Sequence, residues 1–147
     1  MRILNTSSLE PWTAKMENEC RDRILEFLRP RLPGISVEKE GNFVEDNRAD
    51  IVITHNGARL PIELKRSMHR EIWESWNTQL AQYTKEPATE GYGMYVILWF
   101  GTAKVASPPG FKKPKSAADA RKILTEMIEK SGNPRTRGFV LDLSRPA

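Results

Sequence analysis

Apolar positions recur along this chain first at helical spacing and then at strand spacing. From Trp12 to Leu28 they repeat every three to four residues, which predicts an amphipathic helix that ends before Pro30. Three predicted strands follow, at Ile35–Glu40, Ala49–Thr54 and Ala58–Lys65. The last two are separated by Asn56-Gly57, a dipeptide that favours a two-residue hairpin turn.

The second half of the chain alternates predicted helices and strands. Helical spacing predicts a second helix over Met68–Thr84, and a third helix has Ser116 as its N-cap and ends at Gly132. Between them Met94–Phe100 is apolar on both faces, as is typical of a central strand covered by helices on two sides. Phe139–Leu143 is the last predicted strand. The order α-β-β-β-α-β-α-β predicts an α/β fold with a mixed sheet of four to five strands flanked by helices.

Length and composition narrow the class of protein. The 147 residues fit one domain, 1–147, with a sizeable core. A single cysteine, Cys20, excludes an internal disulfide, and no cluster of Cys and His is present for a structural zinc. The longest apolar run, Met94–Phe100, is far shorter than the ~20 residues that span a bilayer. We therefore expect no membrane partner and a cytoplasmic location.

Charge is unevenly distributed along the chain. The net charge is +4, but the segment from Gly101 onward has ten Lys and Arg against four acids, 10 − 4 = +6, while the first hundred residues carry 13 − 15 = −2. A basic third beside an acidic remainder is typical of a polyanion binder with a carboxylate site. Three lysines of a Pro/Gly-rich loop, Lys112, Lys113 and Lys115, are candidates for phosphate contacts. The alternative is a solvated basic surface, and charge alone does not separate the two.

The predicted hairpin brings two acids together. If Asn56 and Gly57 form the turn, opposed residues have numbers that sum to 113, so Asp50 faces Glu63. This is a non-hydrogen-bonded pair, in which the Cα atoms are only about 4.5 Å apart. Two carboxylates so placed repel each other, and either a shared proton or a divalent cation relieves the repulsion.

Strand alternation adds a lysine to these acids. Lys65 lies on the same face as Glu63, while Ile62 and Leu64 point to the opposite face. A cluster of two acids and a lysine can bind magnesium, activate water and balance charge at a phosphate. The alternative is a set of surface charges on an exposed sheet face.

These residues carry a resemblance to a known family. Ala49-Asp50-Ile51-Val52-Ile53 followed by Pro61-Ile62-Glu63-Leu64-Lys65 resembles the PD-(D/E)xK nuclease superfamily, which includes restriction enzymes, junction resolvases and RecB-type nucleases. The spacing of these acids and the lysine is common by chance, but their placement on two hairpin-linked strands is specific. Ala49 stands where the superfamily's name has proline. The resemblance implies a restriction-endonuclease-like αβββαβ core, which is the order predicted from Trp12 to Phe100.

The resemblance also implies roles for individual residues. Asp50, Glu63 and the backbone carbonyl of Leu64 would ligate Mg²⁺, for which Mn²⁺ would substitute, and Lys65 would position or deprotonate the attacking water. It favours DNA over RNA as the substrate of phosphodiester hydrolysis.

Two further features are similar to those of RecB-like nucleases. Gln79 and Tyr83 form a Q-x-x-x-Y pattern that lies beside the catalytic site in such enzymes, and Glu17 corresponds to a first-helix acid that reaches the metal. The alternatives are that Gln79 caps a core edge and that Glu17 is an acid favoured near a helix start.

Other functions remain open at this point. The rival is a non-catalytic nucleic-acid-binding or assembly module on the same fold. A carboxylate metal enzyme acting on small phosphoesters is a third reading, which the basic third of the chain disfavours. A nuclease this short can act as a homodimer or as the effector part of a larger assembly, for example in defence against foreign DNA. Cleavage mode and sequence preference leave no signature.

Overall fold

The computed structural model describes the backbone of residues 9–42 and 48–144, with side chains described for residues 17–41 and 48–144. The helices are α1 (Leu9–Leu28), α2 (Gln79–Tyr83) and α3 (Ala117–Lys130), with short 3-10 turns at Arg29–Arg31 and Pro87–Thr89. The strands are β1 (Ser36–Asn42), β2 (Arg48–His55), β3 (Ala58–Arg66), β4 (Gly93–Trp99) and β5 (Thr136–Asp142). The predicted first helix begins at Trp12, but the side chains of Trp12–Met16 lie outside the described residues. None of the helices in the described ranges is long and apolar enough to cross a membrane.

The strands form one five-stranded sheet in the order β1-β2-β3-β4-β5. β1–β2 and β2–β3 are antiparallel, whereas β3–β4 and β4–β5 are parallel. The sheet is therefore mixed, and the predicted α/β class is confirmed.

The β2–β3 hairpin has the predicted register. His55 pairs with Ala58 and Ile51 with Ile62, so opposed numbers sum to 113. Asn56 and Gly57 form the turn with φ angles of 49° and 82°. Positive φ at both positions is what a type I′ turn requires, and this turn matches the twist of the strands.

Strand alternation separates two buried clusters, one on each face of the sheet. The cluster that includes α1 contains Leu25, Val37, Ile51, Ile62, Leu64 and Leu98. The cluster that includes α3 is rich in aromatic side chains and contains Trp73, Trp76, Trp99, Tyr83, Tyr95, Ile97 and Leu124 among its members. Because Glu63 and Lys65 alternate with Ile62 and Leu64, and Asp50 precedes Ile51, the three polar side chains lie on the second face.

The prediction of a helix over Met68–Thr84 is wrong for most of its length. Only α2 is helical, and the segment before it consists of hydrogen-bonded turns. The hydroxyl of Ser75 donates to the Glu71 carbonyl at 3.0 Å, and the amide of Leu80 reaches five residues back to the Ser75 carbonyl at 3.0 Å. Serine side chains compete in this way with the regular helical ladder.

Two buried aromatic side chains donate hydrogen bonds to further backbone carbonyls of this segment. The Tyr95 hydroxyl donates to the Ile72 carbonyl at 2.6 Å, and the Trp76 indole donates to the Trp73 carbonyl at 2.7 Å. Both bonds lie in the core, where they satisfy groups that would otherwise be buried without a partner. The apolar stripe that predicted a helix therefore marks burial of this segment, not its backbone conformation.

Candidate active site

Asp50, Glu63 and Lys65 form one polar cluster at the centre of the sheet. The Lys65 ammonium lies 3.4 Å from Glu63 Oε2, and the Glu63 side chain is only 3% exposed. The last pair of the β2–β3 ladder is Ile51 with Ile62. Beyond it the Leu64 amide donates to Asp50 Oδ2 at 2.7 Å. The Asp50 carboxylate therefore takes the place of a backbone acceptor, which holds it against β3 beside Glu63.

The environment of Glu63 disfavours its charged form. Burial, and after it the charge of Asp50, raises the pKa of Glu63 to about 8, although Lys65 and a hydrogen bond with Tyr83 act in the opposite direction. Oε1 of this carboxyl is buried and has no hydrogen-bond partner. Near neutral pH the position therefore requires either a proton or a cation.

Asp50 is partly buried, and more of its neighbours favour its charged form. Burial raises its pKa, while the Leu64 amide, Lys65 and Arg21 lower it, as does hydrogen bonding from Glu63. More groups therefore favour the charged form of Asp50 than that of Glu63, and the pair as a whole favours holding one proton near neutral pH. A shared proton was one of the two ways in which we expected the repulsion between the opposed carboxylates to be relieved.

Glu17 reaches the edge of this cluster from α1. Its carboxylate lies 3.7 Å from the Arg66 guanidinium, and burial followed by the charge of Asp50 raises its pKa. The residues with described positions contain no group of three or more His, Cys, Asp or Glu side chains placed to hold a metal ion. Glu17 therefore lies beside the pair of Asp50 and Glu63, with Arg66 as its counter-ion.

Gln79 and Tyr83 connect the cluster to the start of β2. The Gln79 amide donates to the Tyr83 hydroxyl at 3.2 Å, and this hydroxyl donates to the Arg48 carbonyl at 2.7 Å. Arg48 lies two residues before Asp50, so these bonds fix the strand that carries the first acid. The helical spacing of the two residues brings them together even though the helix around them is short.

Lys112, Lys113 and Lys115 lie outside the carboxylate cluster. They are exposed and line a groove of about 550 Å³ against the start of α3. Their loop follows the carboxyl end of β4, which runs parallel to β3 with Lys65 opposite Ile97. The loop therefore leaves the sheet at the same end as Lys65, which is the penultimate residue of β3.

Sequence reasoning missed two arginines of this region. Arg66 pairs with Glu17, and Arg21 lowers the pKa of Asp50 while it bonds Glu40 at 3.4 Å. Their positions in the sequence could have identified them. Arg66 follows Lys65 directly, and Arg21 lies four residues after Glu17 on the same helical face.

The carboxylate oxygens of the cluster are suitable ligands for a hard divalent cation. Glu63 Oε1 and Glu17 Oε2 are buried carboxylate oxygens with no hydrogen-bond partner. Mg²⁺ is bound in proteins by one or two carboxylates and keeps several waters. Asp50 and Glu63 can therefore hold such an ion, because Glu63 Oε1 is free to bind it. The ion would replace the proton on Glu63.

Comparisons with known proteins give one family and one solved structure. Residues 10–102, more than half of the chain, match the model of a family described as a domain of unknown function (DUF8371). No curated protein matches the chain. The structure of SfsA from Pyrococcus furiosus in complex with Ca²⁺ is similar with a TM-score of 0.47 and 16% identity. The alignment covers 89% of this chain and 58% of that one, so the chain spans a little over half of its length.

Removing the Tyr83 hydroxyl is expected to destabilise the protein. Tyr83→Phe leaves the Arg48 carbonyl without its donor in a partly buried place, and we expect a loss of about 0.5–1.5 kcal/mol in the free energy of unfolding, measured by urea denaturation. Tyr92→Phe is the matched control, because the Tyr92 side chain is 50% exposed. Equal stability of the two variants would mean that the Tyr83 hydroxyl does not support β2.

The raised pKa of Glu63 predicts how stability depends on pH. The folded protein keeps a proton that the unfolded chain loses above its ordinary pKa of 4.5, so stability falls as the pH rises from there to about 8. The fall is at most about 1.4 kcal/mol per pH unit. Urea unfolding in EDTA between pH 5 and 8 measures it.

Glu63→Gln is the variant that isolates this effect. Its side chain cannot ionise, so its stability should decline less with pH than that of the wild type, while contributions of other groups cancel in the comparison. Glu38→Gln, at an exposed position of β1, is the control and should follow the wild type. Parallel pH profiles for wild type and Glu63→Gln would refute the raised pKa.

Proposed function

The chain belongs to the DUF8371 family, and we propose that it is a metal-dependent nuclease that hydrolyses phosphodiester bonds, with DNA as the favoured substrate. The observation that carries this proposal is the buried carboxyl of Glu63, whose Oε1 has no hydrogen-bond partner and whose neighbours are Asp50 and Lys65. A pair of acids that only stabilised the fold would gain little from this arrangement, because the charge of Asp50 raises the cost of ionising the buried Glu63.

The proposed metal ligands are the two opposed acids. Asp50 and Glu63 would hold Mg²⁺, with Mn²⁺ as a substitute, and the resemblance to PD-(D/E)xK nucleases adds the Leu64 carbonyl. When bound, the ion supplies positive charge at the phosphate and lowers the pKa of a coordinated water. The Leu64 amide would keep Asp50 in its ligating position, since it already donates to Oδ2 at 2.7 Å.

Lys65 is the proposed catalytic partner of these acids. Its ammonium lies on the same face, 3.4 Å from Glu63 Oε2, with a side chain that is only 14% exposed. A compact ammonium in this place can donate to a water or to a phosphate oxygen and hold either in position. Its contact with Glu63 also fixes its own rotamer, so little conformational entropy is lost when substrate binds.

Glu17, Gln79 and Tyr83 are assigned to support this centre. Glu17 brings a further carboxylate to its edge, paired with Arg66. Gln79 and Tyr83 act through the Arg48 carbonyl and so position β2. In a site of this kind, small displacements of positioned groups have large effects on rate.

A polymeric substrate is supported by the charge around the cluster. The basic loop with Lys112, Lys113 and Lys115 leaves the same end of the sheet as Lys65, and a strand of nucleic acid is long enough to contact both. A non-catalytic binding module is the rival, and the exposed lysines are the feature that would support it. Two carboxylates near phosphates would weaken such binding unless a cation lies between them.

The central test uses supercoiled and linear DNA with Mg²⁺ or EDTA. We expect cleavage with Mg²⁺ only, and loss of cleavage in Asp50→Asn. Lys65→Met keeps the aliphatic stem, so we expect a folded protein that binds DNA but cleaves it at least ~100-fold more slowly. Lys65→Arg should also fail, because a planar fork does not replace a compact donor at a water.

Lys39→Met is the control for this test, because Lys39 is an exposed strand lysine and its loss should leave the cleavage rate unchanged. Cleavage by Lys65→Met at the wild-type rate would contradict the proposed role of Lys65. Mg²⁺-independent binding with no cleavage by the wild type would favour the binding module.

The basic loop has a test of its own. If Lys112, Lys113 and Lys115 contact phosphates, replacing all three by Gln should reduce the log–log salt slope of DNA binding by up to ~3 units. Fluorescence anisotropy over a range of NaCl concentrations measures the slope. An unchanged slope would mean that the loop faces only solvent.

A further inference from the structure

A second cavity lies immediately beyond the proposed catalytic lysine. It has a volume of about 360 Å³ and is lined by Arg66, Met68, His69 and Arg70. Arg66 is the last residue of β3 and follows Lys65 directly, so the cavity lies at the end of the strand that carries Lys65. None of the roles assigned above uses it.

The surroundings of this cavity are strongly positive. Three cationic side chains lie close enough to act on the imidazole of His69: Lys65, Arg66 and Arg70. Burial, and after it these charges, lowers the pKa of His69, and Glu71 opposes them. Nearby acids engage two of these cations, since Glu17 lies 3.7 Å from Arg66 and Glu63 lies 3.4 Å from Lys65. Of the four residues that line the cavity itself, three are basic and none is acidic.

Of these three cationic side chains, Arg70 is the one with the fewest ionic contacts to other side chains. It is exposed, and within the described ranges no hydrogen bond or ion pair engages its guanidinium. The loop that carries it is nevertheless fixed, because the His69 amide donates to the Arg66 carbonyl at 3.0 Å and Met68 is buried. A guanidinium on a fixed loop is well suited to bind a phosphate through two parallel hydrogen bonds.

His69 provides a neutral donor on the same wall. Its Nδ1 accepts a hydrogen bond from the Glu71 amide at 3.0 Å, so the proton of the neutral ring is on Nε2. This ring can therefore donate to an anion without being charged. Two guanidinium groups and one imidazole N–H then line one cavity, which is a donor set for the oxygens of a phosphate.

We propose that the cavity of Arg66, Met68, His69 and Arg70 binds a phosphate group of the substrate strand, separate from the phosphate that is hydrolysed. This inference rests on the proposed nuclease function. The bound group is either a phosphate inside the strand or a terminal 5′-phosphate, since both present the same oxygens to the arginines. A site at this place would set the position of the strand relative to Lys65.

The experiment measures DNA binding in EDTA, so that it does not depend on cleavage. Fluorescence anisotropy compares two duplexes of one sequence, with and without a 5′-phosphate, over a range of NaCl concentrations. In Arg70→Gln we expect the log–log salt slope to fall by about 0.9, which is a loss of about tenfold in affinity at 0.1 M salt. Arg70→Lys should keep the slope and lose part of the affinity, because it keeps the charge but not the fork.

Arg23→Gln is the matched control, since Arg23 is an exposed arginine of α1 that does not line the cavity. It should bind like the wild type, and all variants should unfold at the wild-type temperature. A loss confined to the 5′-phosphorylated duplex assigns a terminal phosphate, and equal losses on both duplexes assign an internal one. Wild-type binding by Arg70→Gln, or an equal loss in Arg23→Gln, would overturn the proposal.

Cleavage assays on the same proteins separate this inference from the proposed function. If the wild type fails to cleave DNA with Mg²⁺ but Arg70→Gln still loses affinity, the nuclease assignment fails and the phosphate site stands. If the wild type cleaves and Arg70→Gln binds normally, the nuclease assignment stands and the phosphate site fails.

Discussion

The burial of the Glu63 carboxyl beside Asp50 is the constraint on which the rest of this structure depends. A carboxylate removed from water loses its hydration, and a second acid nearby adds repulsion. The protein meets this cost with a proton on Glu63, whose pKa is about 8, and with the nearby Lys65 ammonium. It also binds Asp50 to a backbone amide of β3. Such an arrangement weakens the fold when no cation is present, and it is maintained by the packing around it.

That packing comes from the face of the sheet on which the acids lie. Aromatic side chains dominate it, and two of their hydroxyl groups take backbone carbonyls, Tyr83 at Arg48 and Tyr95 at Ile72. These bonds fix the start of β2 and the turns of the segment after β3. The Tyr95 bond also takes a carbonyl that a long helix would use in its own hydrogen-bond ladder. The same residues therefore build the core and restrict the positions of the acids.

Positive charge gathers at one end of the sheet. β3 and β4 run parallel, so β3 ends with Arg66 at the end of the sheet from which both following loops leave, and these loops carry Arg70 and the lysines before α3. Asp50 and Glu63 lie together in the cluster itself. An anionic polymer would be attracted by the surrounding cations and repelled by the centre until a metal ion or proton neutralises the acids. This distribution follows from the topology and not from the modest net charge of +4.

The sequence by itself determined the hairpin and the residues that face each other across it. Asn56-Gly57 fixed the turn, the turn fixed the register, and the period of two placed Asp50, Glu63 and Lys65 on one face. These relations are local, so a short stretch of chain is sufficient to specify them. Gln79 and Tyr83 were predicted as a pair from the resemblance of their Q-x-x-x-Y pattern to RecB-like nucleases, and their spacing of four residues is also local. Only the tertiary structure decided the conformation of residues 68–78, because the partners of their carbonyls include Tyr95 on another strand. It also decided the pairing of Glu17 with Arg66 and the cavity beside His69, since long-range packing brings these groups together and no periodicity in the sequence encodes them.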